Sequence, residues 1–497
     1  MTRQGESSAS GELCVPLLVA ERAEPAGLLR VTAPWDRAPI GAVETGDASH
    51  VDAALGTAHA LYRDRDAWLA LHDRIGMLER AAARMANEHD ALTLLATREG
   101  GKPLCDTEVE VTRAIDGIRL CIDTLRTEAG RVVPMGATAA GAGRLAFTQK
   151  EPIGVVVAVS AFNHPLNLIV HQVAAAVAAG CPVIVKPAED TPLSCLRFVQ
   201  ILHAAGLPAG WCQAVVPENL AIAERLVTDS RVGFFSFIGS ARVGWMLRSR
   251  LAPGTRCALE HGGVAPVILA DDFDPELALA AICKGGFYHA GQVCVSVQRV
   301  FAPRLKAREF AEALAERAAG LKIGDPTLPD TEVGPLIREA EVTRVGDWVR
   351  EAIGAGAECL YGGPADDGLI NESINKSCYP CTVLFDPPAD AKVSTEEVFG
   401  PVVCVYPYDD PDEAIDAANS LPFAFQAAVF TRSIDTAMRI FRRLDASAVM
   451  VNEHTAFRVD GMPFAGLKQS GLGVGGIPFT MADMQVDKML VVKSPEL

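Results

Sequence analysis

Cys294 stands in a sequence context that suits a catalytic thiol. It ends the segment Gly291-Gln-Val-Cys294, which follows the glycine pair Gly285 and Gly286. Glycines let backbone come close to a ligand, and a reactive cysteine needs its own backbone N–H free to hold an oxyanion. The chain contains 13 cysteines, so the alternative is that Cys294 is one more small buried apolar residue. Its local sequence leaves both interpretations open.

Two further polar residues stand at the ends of apolar segments. Glu260 lies where an apolar strand runs into the turn at Gly262, so a partly buried carboxylate with a raised pKa could act there as a general base. The alternative is a solvated loop acid. Asn163 follows another apolar strand and precedes Pro165, which places it at the carboxyl edge of a parallel sheet, where α/β proteins bind ligands. Its amide could donate to an oxyanion or cap the helix that begins near Pro165.

Polar side chains also follow Asn163 at helical spacing. His164, Asn167 and His171 occupy positions i, i+3 and i+7, so they share one face of the predicted helix. Such a group predicts the wall of a wet pocket. The alternative for each histidine is a place in the core with a backbone partner.

Three short motifs differ in what they indicate. Phe237-Ile-Gly-Ser240 predicts a strand, a glycine turn and a serine helix cap, which would present free N–H groups to a phosphate. The literal G-x-G-x-x-G at 471–476 has no preceding strand and no periodic helix after it, so we predict a flexible loop. Cys378-Tyr-Pro-Cys381 matches a redox pattern, but without a following helix it favours two ordinary thiols.

The surrounding chain must position these residues, and its hydrophobic pattern changes along its length. Residues 51–128 predict two or three amphipathic helices. From residue 154, uniformly apolar strands alternate with helices, which indicates a parallel sheet covered on both faces, and a second α/β region covers 265–464. Residues 144–151 predict an exposed strand, which we pair with 488–493 in an oligomerisation element. The strands predicted for the two sheets are 154–159, 182–186, 212–216, 297–302, 402–406 and 446–451.

Composition narrows the function further. The 497 residues predict two or three domains, and the net charge of −17 argues against nucleic acid or an anionic membrane as partner. An odd number of scattered cysteines favours a reducing compartment, and residues 1–20 lack a secretory signal, so we expect a cytoplasmic protein. The longest apolar stretch, 173–185, is shorter than the ~20 residues that span a bilayer.

Taken together, the motifs resemble the NAD(P)-dependent aldehyde dehydrogenase superfamily, in that family's order and spacing, from about residue 25 to 493. They are closest to the branch of lactaldehyde, non-phosphorylating glyceraldehyde-3-phosphate and phosphonoacetaldehyde dehydrogenases. The resemblance rests on seven segments: Ser160-Ala-Phe-Asn-His-Pro165, Lys186-Pro-Ala-Glu189, Phe237-Ile-Gly-Ser240, Leu259-Glu-His-Gly-Gly263, Gly291-Gln-Val-Cys294, Glu396-Glu-Val-Phe-Gly-Pro401 and Pro463-Phe-Ala-Gly-Leu-Lys468.

The resemblance implies a role for each matching residue. Cys294 would be the nucleophile, Asn163 the oxyanion donor and Glu260 the base that activates water against a thioester, so the product would be a free acid. NAD is the expected cofactor because the Glu189 carboxylate repels a 2′-phosphate, although NADP remains possible. No metal is implied. The residues expected to bind the cofactor are Ser160, Phe162, Lys186, Glu189, Gly239, Ser240, Val243, Glu397 and Phe399.

The implied fold is α/β, with two Rossmann-like parallel-sheet domains and a small β oligomerisation element. The cofactor domain would comprise 1–133 and 153–262, the catalytic domain 263–478, and the oligomerisation strands 134–152 and 479–497. We expect a homodimer or a homotetramer. Ile238 stands where the family usually has Thr, and the glycines common after a Val-Pro pair are missing at Val216-Pro-Glu-Asn219, so adenine and phosphate contacts should differ in detail.

Polar residues dominate the expected substrate pocket. Alongside His164, Asn167 and His171, the side chains of Arg113 and Arg458 would add two positive groups, which suits a short aldehyde with a carboxylate, phosphate, phosphonate or sulfonate. The alternative is that both arginines pair with acids such as Glu110 and Asp460. Val293 occupies the position where the phosphonoacetaldehyde type carries an arginine, which argues against a strongly dianionic substrate.

Three functions follow from this sequence. The first is oxidation of a small polar or anionic aldehyde to the acid with NAD(P), through a thiohemiacetal and a thioester on Cys294. The second is the same reaction on aromatic or longer alkyl aldehydes. The third is a catalytically silent relative that acts as a binding protein.

Overall fold

The computed structural model describes residues 13–21, 24–364 and 376–497. Residues 1–12 lie outside the described residues, and part of the prediction that no secretory signal is present falls on them. The same holds for 22–23 and 365–375, which belong to the predicted cofactor and catalytic domains. The predicted domain boundaries stay a prediction.

A six-stranded sheet forms the first core. Its neighbouring strands are parallel, apart from one antiparallel edge strand. In the strand Val155–Val159, Val155 and Val157 pack on one face while Val156 and Ala158 pack on the other, and all four are 0% exposed. Successive strand side chains point to opposite faces, so a sheet covered on both sides needs uniformly apolar strands. The strand order is Gly471–Leu472, Arg256–Glu260, Val232–Ile238, Val155–Val159, Val183–Lys186 and Cys212–Ala214.

Helices cover both faces of this sheet. Within the span predicted to hold two or three helices there are four, because His89–Gly100 is a separate helix between two longer ones. One face carries Ala48–Arg63, Leu220–Thr228 and Ala241–Arg248. The other carries Leu71–Asn87, His89–Gly100, Leu104–Thr127, Pro192–Ala204 and one helix composed of Asn167–Ile169, a π-helical segment Val170–Ala174, and Ala175–Ala179.

A seven-stranded sheet forms the second core. Its strands are parallel except for the edge strand Glu358–Tyr361, and side chains again alternate between the two faces. The strand order is Glu358–Tyr361, Thr382–Phe385, Val402–Tyr408, Val297–Pro303, Ala265–Leu269, Gln426–Phe430 and Ala448–Val451. The α-helices of this part are Pro275–Phe287, Arg304–Ala319, Glu339–Gly354, Lys392–Thr395, Pro411–Asn419 and Ile434–Arg443.

The predicted pairing between the strand near residue 144 and the tail is confirmed. Arg144–Pro152 pairs antiparallel with Gln485–Lys493 over nine residue pairs, and Val132–Val133 joins as a third strand. Apolar side chains remain exposed on this sheet, among them Phe147 at 39% and Leu490 at 53%. Its role in assembly stays a prediction.

The remaining elements are short. Residues 471–476 do not form the predicted flexible loop, because Gly471–Leu472 pairs with Leu259 and Glu260 and the helix Ile477–Asp483 follows directly.

Among the described residues, no helix combines the length and the apolar character that a membrane span requires. The other strands are Cys14–Val15, Gly27–Thr32, Pro39–Thr45, Phe423–Ala424 and Leu467–Lys468, and the 3₁₀ turns are Arg65–Ala67, Met135–Ala137, Ala139–Gly141, Ala209–Trp211 and Tyr288–Gly291.

Candidate active site

A cavity of about 820 Å³ lies at the carboxyl ends of strands from both large sheets. Cys294, Asn163 and Glu260 line it together, although they are distant in sequence. Every site residue predicted from the sequence lines this cavity except His171, which lies behind the wall. Tertiary structure therefore gathers the predicted site in one place.

Cys294 follows a backbone turn that few sequences could adopt. His289, Ala290 and Gly291 have φ values of 50°, 52° and 70°, all in the left-handed region. A Cβ on Gly291 would lie 2.1 Å from the carbonyl oxygen of Gly400, so no other residue fits there. The turn delivers Cys294 to the cavity with its side chain partly exposed.

The neighbouring glycines serve packing, not the close approach of backbone to a ligand that we expected. A Cβ on Gly285 would lie 2.6 Å from Cβ of His454, and one on Gly286 would lie 2.5 Å from a methyl group of Val403. Both glycines belong to the helix Pro275–Phe287, which they allow to pack closely against its neighbours. This packing fixes the C-terminal end of the helix, which leads into the turn before Cys294.

Burial favours the protonated form of the Cys294 thiol. Desolvation raises its pKa to about 12, and the carboxyl groups of Glu397 and Glu260 act in the same direction. The positive charge of Arg458 opposes this rise. Formation of the thiolate therefore needs a positive group or a proton acceptor nearby.

Asn163 faces Cys294 from the other sheet and is held by a buried ionic network. Its Nδ2 donates to the carbonyl oxygen of Gln292 at 2.9 Å, which leaves the second hydrogen of the amide for another acceptor. Lys102 donates to the backbone oxygen of Asn163 at 3.2 Å and pairs with the carboxylate of Glu110. Asn163 thus lies beside the segment that ends at Cys294, and one hydrogen of its side-chain amide remains available for a hydrogen bond.

Glu110, and not Asn163, caps the helix that follows. One carboxylate oxygen of Glu110 accepts hydrogen bonds from the backbone N–H groups of Leu166 at 2.9 Å and Asn167 at 3.0 Å. A carboxylate at a helix N-terminus satisfies free donors and complements the helix dipole. The capping alternative for Asn163 is therefore not what the structure shows.

Glu260 ends the strand Arg256–Glu260 on the opposite side of the cavity. Burial raises the pKa of its carboxyl group, and Arg458 counteracts part of that rise. A Cβ on Gly475 would lie 2.2 Å from Oε1 of Glu260, so the glycine-rich segment lies against the carboxyl group. This is the partly buried acid predicted from the sequence, not a solvated loop residue.

At the end of the cavity that is predicted to bind the aldehyde, several polar groups converge on Asp460. Arg113 donates to both carboxylate oxygens, from Nε at 3.0 Å and from Nη2 at 2.8 Å. Asn167 donates from Nδ2 at 3.1 Å, and Nε2 of His171 lies 2.7 Å from the same oxygen. The alternative in which Arg113 pairs with Asp460 is therefore what the structure shows, although Arg113 also lines the cavity. His164 instead contacts the hydroxyl of Tyr288 at 2.8 Å.

Arg458 differs from Arg113 in its contacts. Its guanidinium lies 3.6 Å from the ring centre of Phe464, and Nη2 lies 3.4 Å from Nδ1 of His171. Its Nε is buried without a hydrogen-bond partner, and among the described residues no carboxylate comes within 4.0 Å to form a salt bridge with it. Arg458 thus presents a positive charge to the cavity near Cys294.

The other end of the cavity has the polarity that a dinucleotide requires. Lys186 and Glu189 form an ion pair at the mouth, and Ser240 occupies the N-cap position of the helix Ala241–Arg248 without bonding its backbone. Oε1 of Glu397 is buried and unpaired, and its pKa is raised to about 8 by burial. A Cβ on Gly262 would lie 1.5 Å from this oxygen. A free helix N-terminus and a carboxylate oxygen without a partner are groups that can bind phosphates and ribose hydroxyls.

Comparison with known proteins decides the family. The model of the aldehyde dehydrogenase family matches residues 21–490. The chain belongs to the aldehyde dehydrogenase family. It is 32% identical to 3-sulfolactaldehyde dehydrogenase from Priestia aryabhattai, over 92% of this chain and 93% of the relative.

Two solved structures share the fold over nearly the entire chain. Aldehyde dehydrogenase 21 from Physcomitrella patens, in complex with the reaction product succinate, has a TM-score of 0.91 and 32% identity, covering 97% of this chain and 98% of that one. Glyceraldehyde-3-phosphate dehydrogenase from Methanocaldococcus jannaschii, in complex with NADP, has a TM-score of 0.88 and 29% identity, covering 95% and 100%. These relatives confirm the predicted fold class and branch, and this aldehyde dehydrogenase uses a nicotinamide cofactor.

The cavity of this aldehyde dehydrogenase contains residues that sequence reasoning did not select. Tyr288 lies in the same turn as the left-handed residues, and His454 packs against Gly285. Phe464 belongs to one of the seven matching segments, which was the available signal for it. No cluster of three or more His, Cys, Asp or Glu residues that could hold a metal ion occurs in the described part of the chain.

Proposed function

We propose that this aldehyde dehydrogenase oxidises a short aldehyde that carries an anionic group, releasing the free carboxylic acid. The observation that carries the proposal is Arg458, a partly buried residue that lines the cavity near Cys294 and has no carboxylate within 4.0 Å among the described residues. An uncompensated buried charge is costly, and a substrate anion would relieve that cost. The named relatives act on sulfolactaldehyde or glyceraldehyde 3-phosphate, or bind succinate, which are all anionic.

The proposed chemistry begins at Cys294. Its thiolate attacks the carbonyl carbon of the aldehyde, and the resulting oxyanion accepts hydrogen bonds from Nδ2 of Asn163 and from the backbone N–H of Cys294. A bound nicotinamide would supply the acceptor for the hydride that leaves the former aldehyde carbon, which would convert the thiohemiacetal to a thioester. Glu260 then takes a proton from water, and the hydroxide attacks the thioester carbonyl and releases the acid and the thiolate. A raised pKa suits Glu260 to this role as base.

Several residues would hold the cofactor. We infer that Lys186 and Glu189 bind the adenosine ribose, that the helix N-terminus at Ser240 binds the pyrophosphate, and that Glu397 binds the nicotinamide ribose. The buried and unpaired oxygen of Glu397 supports this assignment. The Glu189 carboxylate disfavours a 2′-phosphate, which supports a preference for NAD over NADP.

We further propose that the protein is a cytoplasmic homodimer or homotetramer. The 13 cysteines are an odd number scattered along the chain, which suits a reducing compartment. The apolar side chains exposed on the strand Gln485–Lys493 and its partner support an assembly role for the small sheet.

The experiment is a substrate panel with wild type and Arg458→Met. The panel contains aldehydes of matched length that are neutral, carboxylated, sulfonated, phosphorylated or aromatic, each with NAD and with NADP, and Cys294→Ser is the blank. Removing one partner of a buried charge contact costs about 2–5 kcal/mol, so kcat/KM for anionic aldehydes should fall about 30-fold or more while neutral ones are spared. If aromatic or alkyl aldehydes lead and Arg458→Met changes nothing, the proposed substrate class is wrong.

A further inference from the structure

Asp460 is the centre of the polar network at the aldehyde end of the cavity. It is 9% exposed and accepts hydrogen bonds from Arg113, Asn167 and His171. Burial alone would raise the pKa of Asp460, but the hydrogen bonds from His171 and Arg113 hold it well below its usual range. Asp460 is therefore a permanent negative charge directly behind the substrate wall.

His171 connects this charge to Arg458. Because Nδ1 of His171 faces the Nη2 donor of Arg458, that nitrogen is the acceptor and Nε2 carries the hydrogen that Asp460 accepts. Burial and the charge of Arg458 lower the pKa of His171 to about 4, so the ring stays neutral. The chain Arg458–His171–Asp460–Arg113 thus joins two cations through one anion.

The charges at this end of the cavity can be counted. Arg113 is compensated by Asp460, and the lining residue Lys284 is compensated by Asp106 at 2.6 Å. Within the described chain this leaves Arg458 as the cation near Cys294 that has no salt bridge, although the charge of Glu260 acts on it. Ionisation of Glu260 would only reduce the positive charge further. The side chains at this end of the cavity therefore carry at most one net positive charge.

We propose that Asp460 is a specificity-determining residue that restricts the substrate to a single negative charge, a carboxylate or a sulfonate, and disfavours a phosphate dianion. This inference rests on the proposed function, since it concerns the same pocket. A phosphate monoester carries a charge of about −1.5 to −2 at pH 7. Its second charge would enter a buried site where Arg113 is already paired, and an unpaired buried charge is strongly unfavourable.

Asp460 acts in this proposal through Arg113 and not through contact with the reacting atoms. Replacing it by Asn keeps the volume and removes the charge, which releases Arg113 to bind a second negative charge. Removing Arg113 as well returns the wall to one net positive charge. Relative to wild type, the net charge is therefore one unit higher in Asp460→Asn, one unit lower in Arg113→Gln and unchanged in the double variant.

The test compares kcat/KM for short aldehydes of matched length that carry a carboxylate, a sulfonate, a phosphate or no charge. The full-length enzymes are wild type, Asp460→Asn, Arg113→Gln and the double variant. Wild type should favour carboxylate and sulfonate over phosphate by about tenfold or more, and Asp460→Asn should reduce that ratio at least tenfold. The double variant should recover the wild-type ratio, and Arg113→Gln alone should lower activity on every anion relative to the neutral aldehyde.

Other outcomes would overturn the inference in distinguishable ways. Equal losses on charged and neutral aldehydes in Asp460→Asn would show that Asp460 only supports packing, while the proposed function would stand. A wild type without any preference for anions would refute the proposed function and this inference together. If Asp460→Asn does not fold, Arg113→Gln still tests the charge count through its expected loss on every anion relative to the neutral aldehyde, and equilibrium binding of succinate and 3-phosphoglycerate to wild type tests the preference against phosphate without turnover.

Discussion

The buried pair of Lys102 and Glu110 gives a prediction that links stability to the oxyanion site. Their side chains are 1% and 0% exposed, and Lys102 also donates to the backbone oxygen of Asn163. Replacing Lys102 by Met keeps the length of the side chain and removes its charge. The carboxylate of Glu110 then remains buried, with only the N–H groups of Leu166 and Asn167 as partners.

The size of the effect follows from burial. Removing one member of a buried ion pair costs about 3–5 kcal/mol, because the other charge stays out of water without its counterion. Neutralising both members relieves that penalty, so Lys102→Met with Glu110→Gln should cost about 2–3 kcal/mol less than the sum of the single variants. An exposed pair contributes at most ~1 kcal/mol. The matched control is Arg308–Glu358, whose side chains are 45% and 52% exposed.

Urea unfolding followed by tryptophan fluorescence measures the change in the free energy of unfolding from the shift in midpoint and the slope. Lys102→Met should lower the free energy of unfolding several-fold more than Arg308→Met does. Its kcat should also fall, because Asn163 loses a backbone contact. A loss in Lys102→Met no larger than in Arg308→Met would refute the reasoning, as would strict additivity in the double variant.

Three further predictions concern the reaction. Glu260→Gln should keep a burst of one reduced cofactor per site and lose steady-state turnover by about 10²-fold or more, which rapid-mixing kinetics would show; loss of the burst would contradict the assignment. Arg458→Met should raise the pKa of the Cys294 thiol, so the pH profile of alkylation by iodoacetamide should move to higher pH; a shift to lower pH would contradict it. Glu189→Gln removes the partner of Lys186 and should raise the NADP-to-NAD ratio of kcat/KM about tenfold (~1.4 kcal/mol); an unchanged ratio would remove Glu189 as the discriminator.

The sheets and much of the candidate site were predictable because their signals are local. An apolar strand such as Val155–Val159 has to be buried on both faces, and this requirement is visible in five consecutive residues. The candidate cofactor and catalytic residues stand at strand ends and turns with characteristic spacing, so the order of the motifs is enough to select residues that line one cavity. The pairing of 144–151 with 488–493 follows from an exposed strand of alternating pattern and a short apolar strand in the tail that has no partner nearby in sequence.

Two predictions made from the local sequence were wrong because the residues that make the decisive contacts lie far away in the sequence. The segment at Gly471 looked like a loop because no strand precedes it, yet its partner is Glu260, far upstream. The prediction that Gly285 and Gly286 allow backbone to approach a ligand fails because the side chains that fill their space, His454 and Val403, lie far away in the sequence.

The sequence by itself therefore determined the fold class and selected the candidate nucleophile and cofactor-binding positions that line the cavity, since each depends on short-range pattern or backbone conformation. Tertiary structure alone decided which charges in the pocket are compensated. Arg113 and Asp460 are 347 positions apart, and nothing near either residue indicates that they meet. Electrostatic pairing depends on distance in space and on exclusion of water, and both arise only when the chain folds. For this reason Arg458, which sequence reasoning ranked equally with Arg113, is the cation left available to a substrate.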